Sequence, residues 1–184
     1  RPYMMHVPPS LPTGPTALVV FVHGYGWGGG LEEANVIGLP ADSDQHGYLL
    51  ALPDGTPDLV GQKFWNATDA CCSMFAPSPP PDDVKYLQAL ILHAKAHHQI
   101  DPKRVYMIGH SNGAFMTNRY ACDRGGDLAA IAPLAGMMWK DASKCAAPAH
   151  LRVVHTQADT DELISFNGGT VPFGSAQFPS AMQS

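Results

Sequence analysis

The run Ala17-Leu18-Val19-Val20-Phe21-Val22-His23 is apolar and largely β-branched, and it constrains the fold more than any other feature of the chain. A strand with one wet face alternates apolar and polar residues, whereas a strand covered on both faces has no reason to. The run therefore predicts a central strand of a parallel sheet with helices packed on either side. Residues 48–52, 104–108, 129–134 and 150–155 read as further strands, and residues 3–8 as a short first one. Helices are expected over about 32–43, from Asp82-Asp83 onward, and over 112–121. Strands alternating with helices call for an α/β sheet joined by crossover helices.

The helix opened by Asp82-Asp83 has the clearest local logic. Carboxylates there cap free amides and meet the positive end of the helix dipole, a better reading than a catalytic carboxylate pair. Val84, Leu87, Leu90, Ile91 and Ala94 follow at helical spacing, with Lys85, Gln88 and Lys95 facing outward. The segment 56–81, holding Phe64, Trp65, Cys71-Cys72 and a proline run, reads as a long excursion over the sheet edge, and 137–149 as loop. No repeat or linker divides the 184 residues, so one domain spans 1–184.

Composition narrows the function classes. Hydrophobic residues make up 45% and charged ones 15%, which supports a real core, while 18 Gly and 17 Pro imply many loops. A net charge of −5 with no basic stripe speaks against a nucleic-acid partner. No apolar run reaches the roughly 18 residues of a membrane span, so a soluble protein is expected. The four cysteines, 71, 72, 122 and 145, permit three full pairings and lack the CxxC spacing of a metal site; no metal or other cofactor is expected. Their even number leans toward an oxidising compartment, secreted or periplasmic. The first residue is Arg1 rather than Met, which is read as a processed or trimmed N-terminus.

Gly109-His110-Ser111-Asn112-Gly113 carries the chemistry. It falls where one expected strand ends and the next helix begins, the context of a nucleophile elbow. A serine in so tight a turn takes strained backbone angles, and glycines two residues away on both sides let the neighbouring chain pass. The bend lifts the Ser111 hydroxyl off the sheet, beside the free amides of a helix N-terminus. His23-Gly24-Tyr25 follows the first buried strand and leads into a Gly-rich loop. In such sites that loop supplies one oxyanion N–H and the residue after the nucleophile supplies the other, here Tyr25 and Asn112. His23 reads as a structural residue of the loop. Asp159, Asp161 and Glu162 all follow the strand ending at 155, where the acid of a serine–acid–histidine order belongs.

Taken together these motifs resemble the carbohydrate esterase family one group: polyhydroxybutyrate depolymerase-like, feruloyl and acetylxylan esterases. The similarity runs nearly end to end, through residues 3–8, VVFVHGYG (19–26), GYLLALPDG (47–55), FWNATDACC (64–72), DDVKYL (82–87), DPKRVYMIGHSNGAFM (101–116) and DELISFNGG (161–169). It implies an α/β-hydrolase fold and a secreted serine esterase working through an acyl-enzyme. The substrate would be a polyester or a feruloyl or acetyl ester of plant polysaccharide, and the protein a monomer. Because the family's acid opens an Asp-x-x-Ile-x-aromatic-x-Gly-Gly stretch, the resemblance selects Asp161. It also implies a catalytic histidine after a final helix. No histidine follows His155, so that base is expected beyond Ser184, and SAQFPSAMQS (175–184) reads as the opening of that helix. Trp27 and Trp65 lie on loops expected to rim the site near Tyr25 and Phe64, where they would stack on substrate or pack under the loops. Met137, Met138 and Trp139 would add an apolar wall or fill core. The cysteines are expected to clamp the excursion to the helix after Ser111 or to the loop at Cys145. Two other readings stay open: a non-catalytic polymer-binding module on the same scaffold, and a peptidase or acyltransferase using the same triad.

Overall fold

The computed structural model describes residues 1–148, 150–172, 174 and 176–184. Ala149, at the end of the expected loop, and Ser175, at the start of the expected last helix, lie outside the described residues. The chain runs through β1 (Tyr3–His6), β2 (Thr16–Val22), α1 (Gly30–Ile37), α2 (Leu39–His46), β3 (Leu49–Pro53) and a small β4 (Thr56–Pro57), β5 (Lys63–Phe64) hairpin. It continues with α3 (Asp83–His97), β6 (Ile100–His110), α4 (Asn112–Arg124), β7 (Ala130–Leu134) and β8 (Arg152–Val153). Six strands form one sheet in the order β1-β3-β2-β6-β7-β8. Only β1 runs antiparallel to its neighbour.

Both faces of the sheet are covered, as the apolar run requires. Leu18, Val20 and Val22 of β2 point into the larger core with Leu87, Ile91 and Phe115 of α3 and α4, while Val19 and Phe21 meet Ala34, Leu50 and Leu52 under α1. Burying each such side chain contributes about 1.5–3 kcal/mol, so the central strands anchor the fold. Asp82 caps α3 by accepting the Lys85 amide at 3.0 Å. Asp83 does something else: it is buried and anchors the excursion, accepting the Asn66 amide at 2.7 Å and pairing with Arg1.

Several elements differ from the sequence reading. The single helix expected over 32–43 is two, because Gly38 adopts φ 87° and caps α1 through its amide. β6 starts at Ile100, with Pro102 tolerated where the strand runs exposed and its register against β2 shifts. β8 is only two exposed residues, although Thr156 still bridges to Leu134. The tail holds turns at 181–183. The disulfides join Cys122 to Cys145 and Cys71 to its neighbour Cys72, so no disulfide clamps the excursion to α4 or to the Cys145 loop. Among the described residues no helix is long and apolar enough to cross a membrane.

The register decides where chemistry can gather. Val22 lies opposite Gly109, and His110 opposite Leu134. The segments leaving β2, β6 and β7 therefore emerge side by side at the carboxyl edge of the sheet, the usual site of ligand crevices in open α/β folds.

Candidate active site

Ser111 is the single residue between β6 and α4, at φ 51° and ψ −121°. A non-glycine residue held at positive φ costs free energy and persists only where its surroundings enforce it. Here the Ser111 amide donates to Leu134 O at 2.9 Å, and its carbonyl accepts the amides of Ala114 at 2.8 Å and Phe115 at 3.1 Å. The flanking glycines are steric necessities: a Cβ on Gly113 would collide with the carbonyl oxygen of Val22, and one on Gly109 with that of Gly113. Ala135, just past β7 and beside this turn, is also at positive φ, 53°. Ser111 is half-buried, so its residue is neither sealed in the core nor fully solvated.

The loop after β2 lies against this turn. A Cβ on Gly24 would sit 3.4 Å from Ser111 Cβ and 3.2 Å from Trp27 Cδ1, which puts the loop and the half-buried Trp27 beside the nucleophile candidate. His23 is buried and holds the loop. Its Nε2 accepts the Gly55 amide at 2.9 Å, which leaves Nδ1–H to donate to Gly24 O at 2.6 Å. Burial drives its pKa down, favouring the neutral ring that this pattern needs. Tyr25 is tied through its hydroxyl, which donates to Asp58 Oδ2 at 2.6 Å; burial first, and then this carboxylate, push the phenol up to about 12. The next amide, Gly26 N, donates to Lys63 O at 2.9 Å.

Asn112 is fully buried, and its side chain grips the Trp65 backbone from both sides. Oδ1 accepts the Trp65 amide at 2.7 Å and Nδ2 donates to the Trp65 carbonyl at 3.1 Å. Trp65 itself is wholly enclosed, stacked 6.3 Å from Tyr86 and donating Nε1–H to His23 O at 2.9 Å. It has no exposed surface to offer a substrate, so the rim position expected for it is corrected to core. Phe64 and Met137 are likewise buried.

On the acid side, Asp161 Oδ1 accepts the amides of Leu163 at 2.9 Å and Ile164 at 2.8 Å, while Oδ2 accepts Gln157 Nε2 at 3.0 Å. Three donors hold that carboxylate in one orientation; Asp159 and Glu162 are exposed. His155 is half-buried, its Nε2 enclosed with no partner among the described residues, and burial pulls its pKa down. No cluster of three or more metal-ligating side chains occurs among the described residues.

Sequence reasoning did not single out Glu33. It is buried, accepts the Gly24 amide at 2.6 Å and pairs with His110. The available signal was a carboxylate at helical spacing with Gly30 and Ala34, on the face of α1 that turns inward.

A parallel sheet, crossover helices and a serine at positive φ between a strand and a helix are the architecture of the α/β-hydrolase fold. Residues 19–182 match the model of the alpha/beta hydrolase family, and the chain belongs to that family. It is 29% identical over 171 residues to NocK of Nocardia uniformis subsp. tsuyamanensis, covering 91% of this chain and 47% of that protein. It is 31% identical over 141 residues to poly(3-hydroxyalkanoate) depolymerase C of Paucimonas lemoignei, covering 75% of this chain and 32% of the relative. Among solved structures, an acetyl xylan esterase from Aspergillus awamori superposes with a TM-score of 0.58 at 20% identity, over 80% of this chain and 49% of the other. The chain thus spans at most about half the length of these relatives.

Proposed function

We propose that the protein is a serine hydrolase of carboxylic esters, with Ser111 as nucleophile and the amides of Tyr25 and Asn112 as oxyanion donors. Asp161 is the acid that orients a histidine lying outside residues 1–184. One observation carries the reading: Ser111 is held at φ 51° at the strand–helix turn, beside a loop anchored independently by His23. In the proposed reaction Ser111 Oγ attacks the ester carbonyl and its proton passes to the histidine. The carbonyl oxygen, now anionic, takes the two amides; the alcohol leaves with a proton from the histidine, and water then releases the acid from the acyl-enzyme.

The resemblance and the relatives support the ester class: a hydroxyalkanoate-type polyester, or feruloyl or acetyl groups on plant polysaccharide. Trp27, half-buried against the turn, would stack on such a substrate, a role its position beside Ser111 supports. An oxidising, extracellular or periplasmic setting is supported by the Cys122–Cys145 bridge. A fluorophosphonate probe applied to the full-length protein should label Ser111 and stop hydrolysis of nitrophenyl esters. Labelling that survives Ser111→Ala would place the nucleophile elsewhere, and faster turnover of matched amides would point to a peptidase.

A further inference from the structure

We propose that Glu33 is a positioning residue: its buried carboxylate ties the oxyanion loop to the nucleophile turn and thereby sets the Tyr25 amide against the Ser111 hydroxyl. The inference rests on the serine-hydrolase reading and deepens it. Glu33 is 1% exposed, and a carboxylate removed from water needs partners that replace its hydration. It has two, and each sits one residue before a functional group. Oε2 accepts the amide of Gly24, which precedes Tyr25, at 2.6 Å. Oε1 meets Nδ1 of His110, which precedes Ser111. One rigid group from α1 thus joins two segments that leave different strands.

The packing leaves that bridge little slack. A Cβ on Gly24 would lie 3.3 Å from His110 Nδ1 and 3.4 Å from Ser111 Cβ, so loop and turn are already in contact. Such contact alone has no direction, whereas a carboxylate accepting an amide fixes both distance and angle. On the other side of the pair, the Asn112 side chain is clamped to the Trp65 backbone by two hydrogen bonds. Each proposed oxyanion donor is therefore next to an anchor of its own. Donors fixed before the reaction need no reorganisation when charge develops, which is where their effect on rate originates. The charge of Glu33 contributes through the bond to Gly24, not by touching substrate.

The test uses the full-length protein, wild type against Glu33→Gln and Glu33→Ala, with Asp44→Asn as a remote control whose carboxylate meets His6. Turnover of a nitrophenyl ester gives kcat and KM, and the Gly24 amide resonance in 15N-labelled protein reports the bond without relying on activity. Glu33→Ala should lower kcat about 10–100-fold with KM within about twofold, since the groups that contact substrate are untouched. Glu33→Gln, whose amide oxygen can still accept from Gly24, should recover part of that loss. The Gly24 proton should move upfield in both. Should Glu33→Ala fail to fold, the isosteric Gln variant decides. A kcat within twofold of wild type, a loss confined to KM, or a reduced kcat with an unmoved Gly24 resonance would each overturn the proposal. Failure of the serine reading looks different: turnover would survive Ser111→Ala, whatever Glu33 does.

Discussion

The proposed nucleophile side and the proposed acid side of the site are built to different standards. Ser111, Gly24 and Asn112 hang from β2 and β6, whose core-facing residues are buried, and each is braced by a second element. Asp161 follows β8, two exposed residues at the sheet edge, and is oriented by amides only two and three residues further along its own loop. Its loop is joined to the body by the Leu134–Thr156 bridge, and the segment beyond it by Phe178 packed edge-to-face on Phe115 at 6.1 Å. The contrast teaches that the proposed oxyanion side is held by bonds between distant segments, while the proposed acid is held by its own loop, which reaches the core through Ile164, Val171 and Phe178.

The sharpest way to break this comparison is kinetic. Ser111→Ala should remove about 10⁴-fold or more of ester turnover, and Asp161→Asn about 10²–10⁴-fold, measured on the full-length protein. An Asp161→Asn variant with full activity would move the acid to Asp159 or Glu162. The stability contrast comes next. Phe21→Ala, in the covered central strand, should cost about 3–5 kcal/mol in denaturant unfolding, and Val153→Ser, exposed in β8, less than about 0.5 kcal/mol. Equal costs would mean the edge is as integral as the centre.

The Cys122–Cys145 bridge closes a separation of 23 residues, from α4 to the loop before β8. Replacing both cysteines with serine should lower stability by about 3 kcal/mol. It should also speed amide exchange over 150–172 more than in β2. A pH dependence comes after that. Buried His23 has a lowered pKa, so the unfolded chain binds its proton first. Stability should therefore fall as pH drops below about 6.5, by no more than about 1.4 kcal/mol per pH unit from this group. His23→Gln should remove that slope, and a slope that persists would belong to another residue.

Much of the fold was legible because the relevant patterns are local. The uninterrupted apolar run announced a strand covered twice, and the inward residues of α3 recur at its helical period. Asp82 sits where a cap belongs, and Gly109 and Gly113 mark a turn that any Cβ would block. Gly38, with Pro40 in the first turn of α2, is a local stop as well, although residues 32–43 read as one helix. Other features were not local. Trp65 read as a loop aromatic that would either stack on substrate or pack under the loops, and packing won once the excursion folded onto Asn112 and Tyr86. Asp161 was chosen over its neighbours by family resemblance alone; its three hydrogen bonds became visible only in three dimensions.

By itself the sequence determined the period of each element, the alternation of strand and helix, and the sharp turn that presents Ser111. These follow from side-chain shape and backbone sterics within a few residues. Only the tertiary structure decided which buried polar groups meet: Glu33 with Gly24 and His110, Asn112 with the Trp65 backbone, His23 with Gly55. Each of those bonds joins segments 9 to 77 residues apart, and the partner of a desolvated polar group is set by sheet register, which no short window of sequence contains.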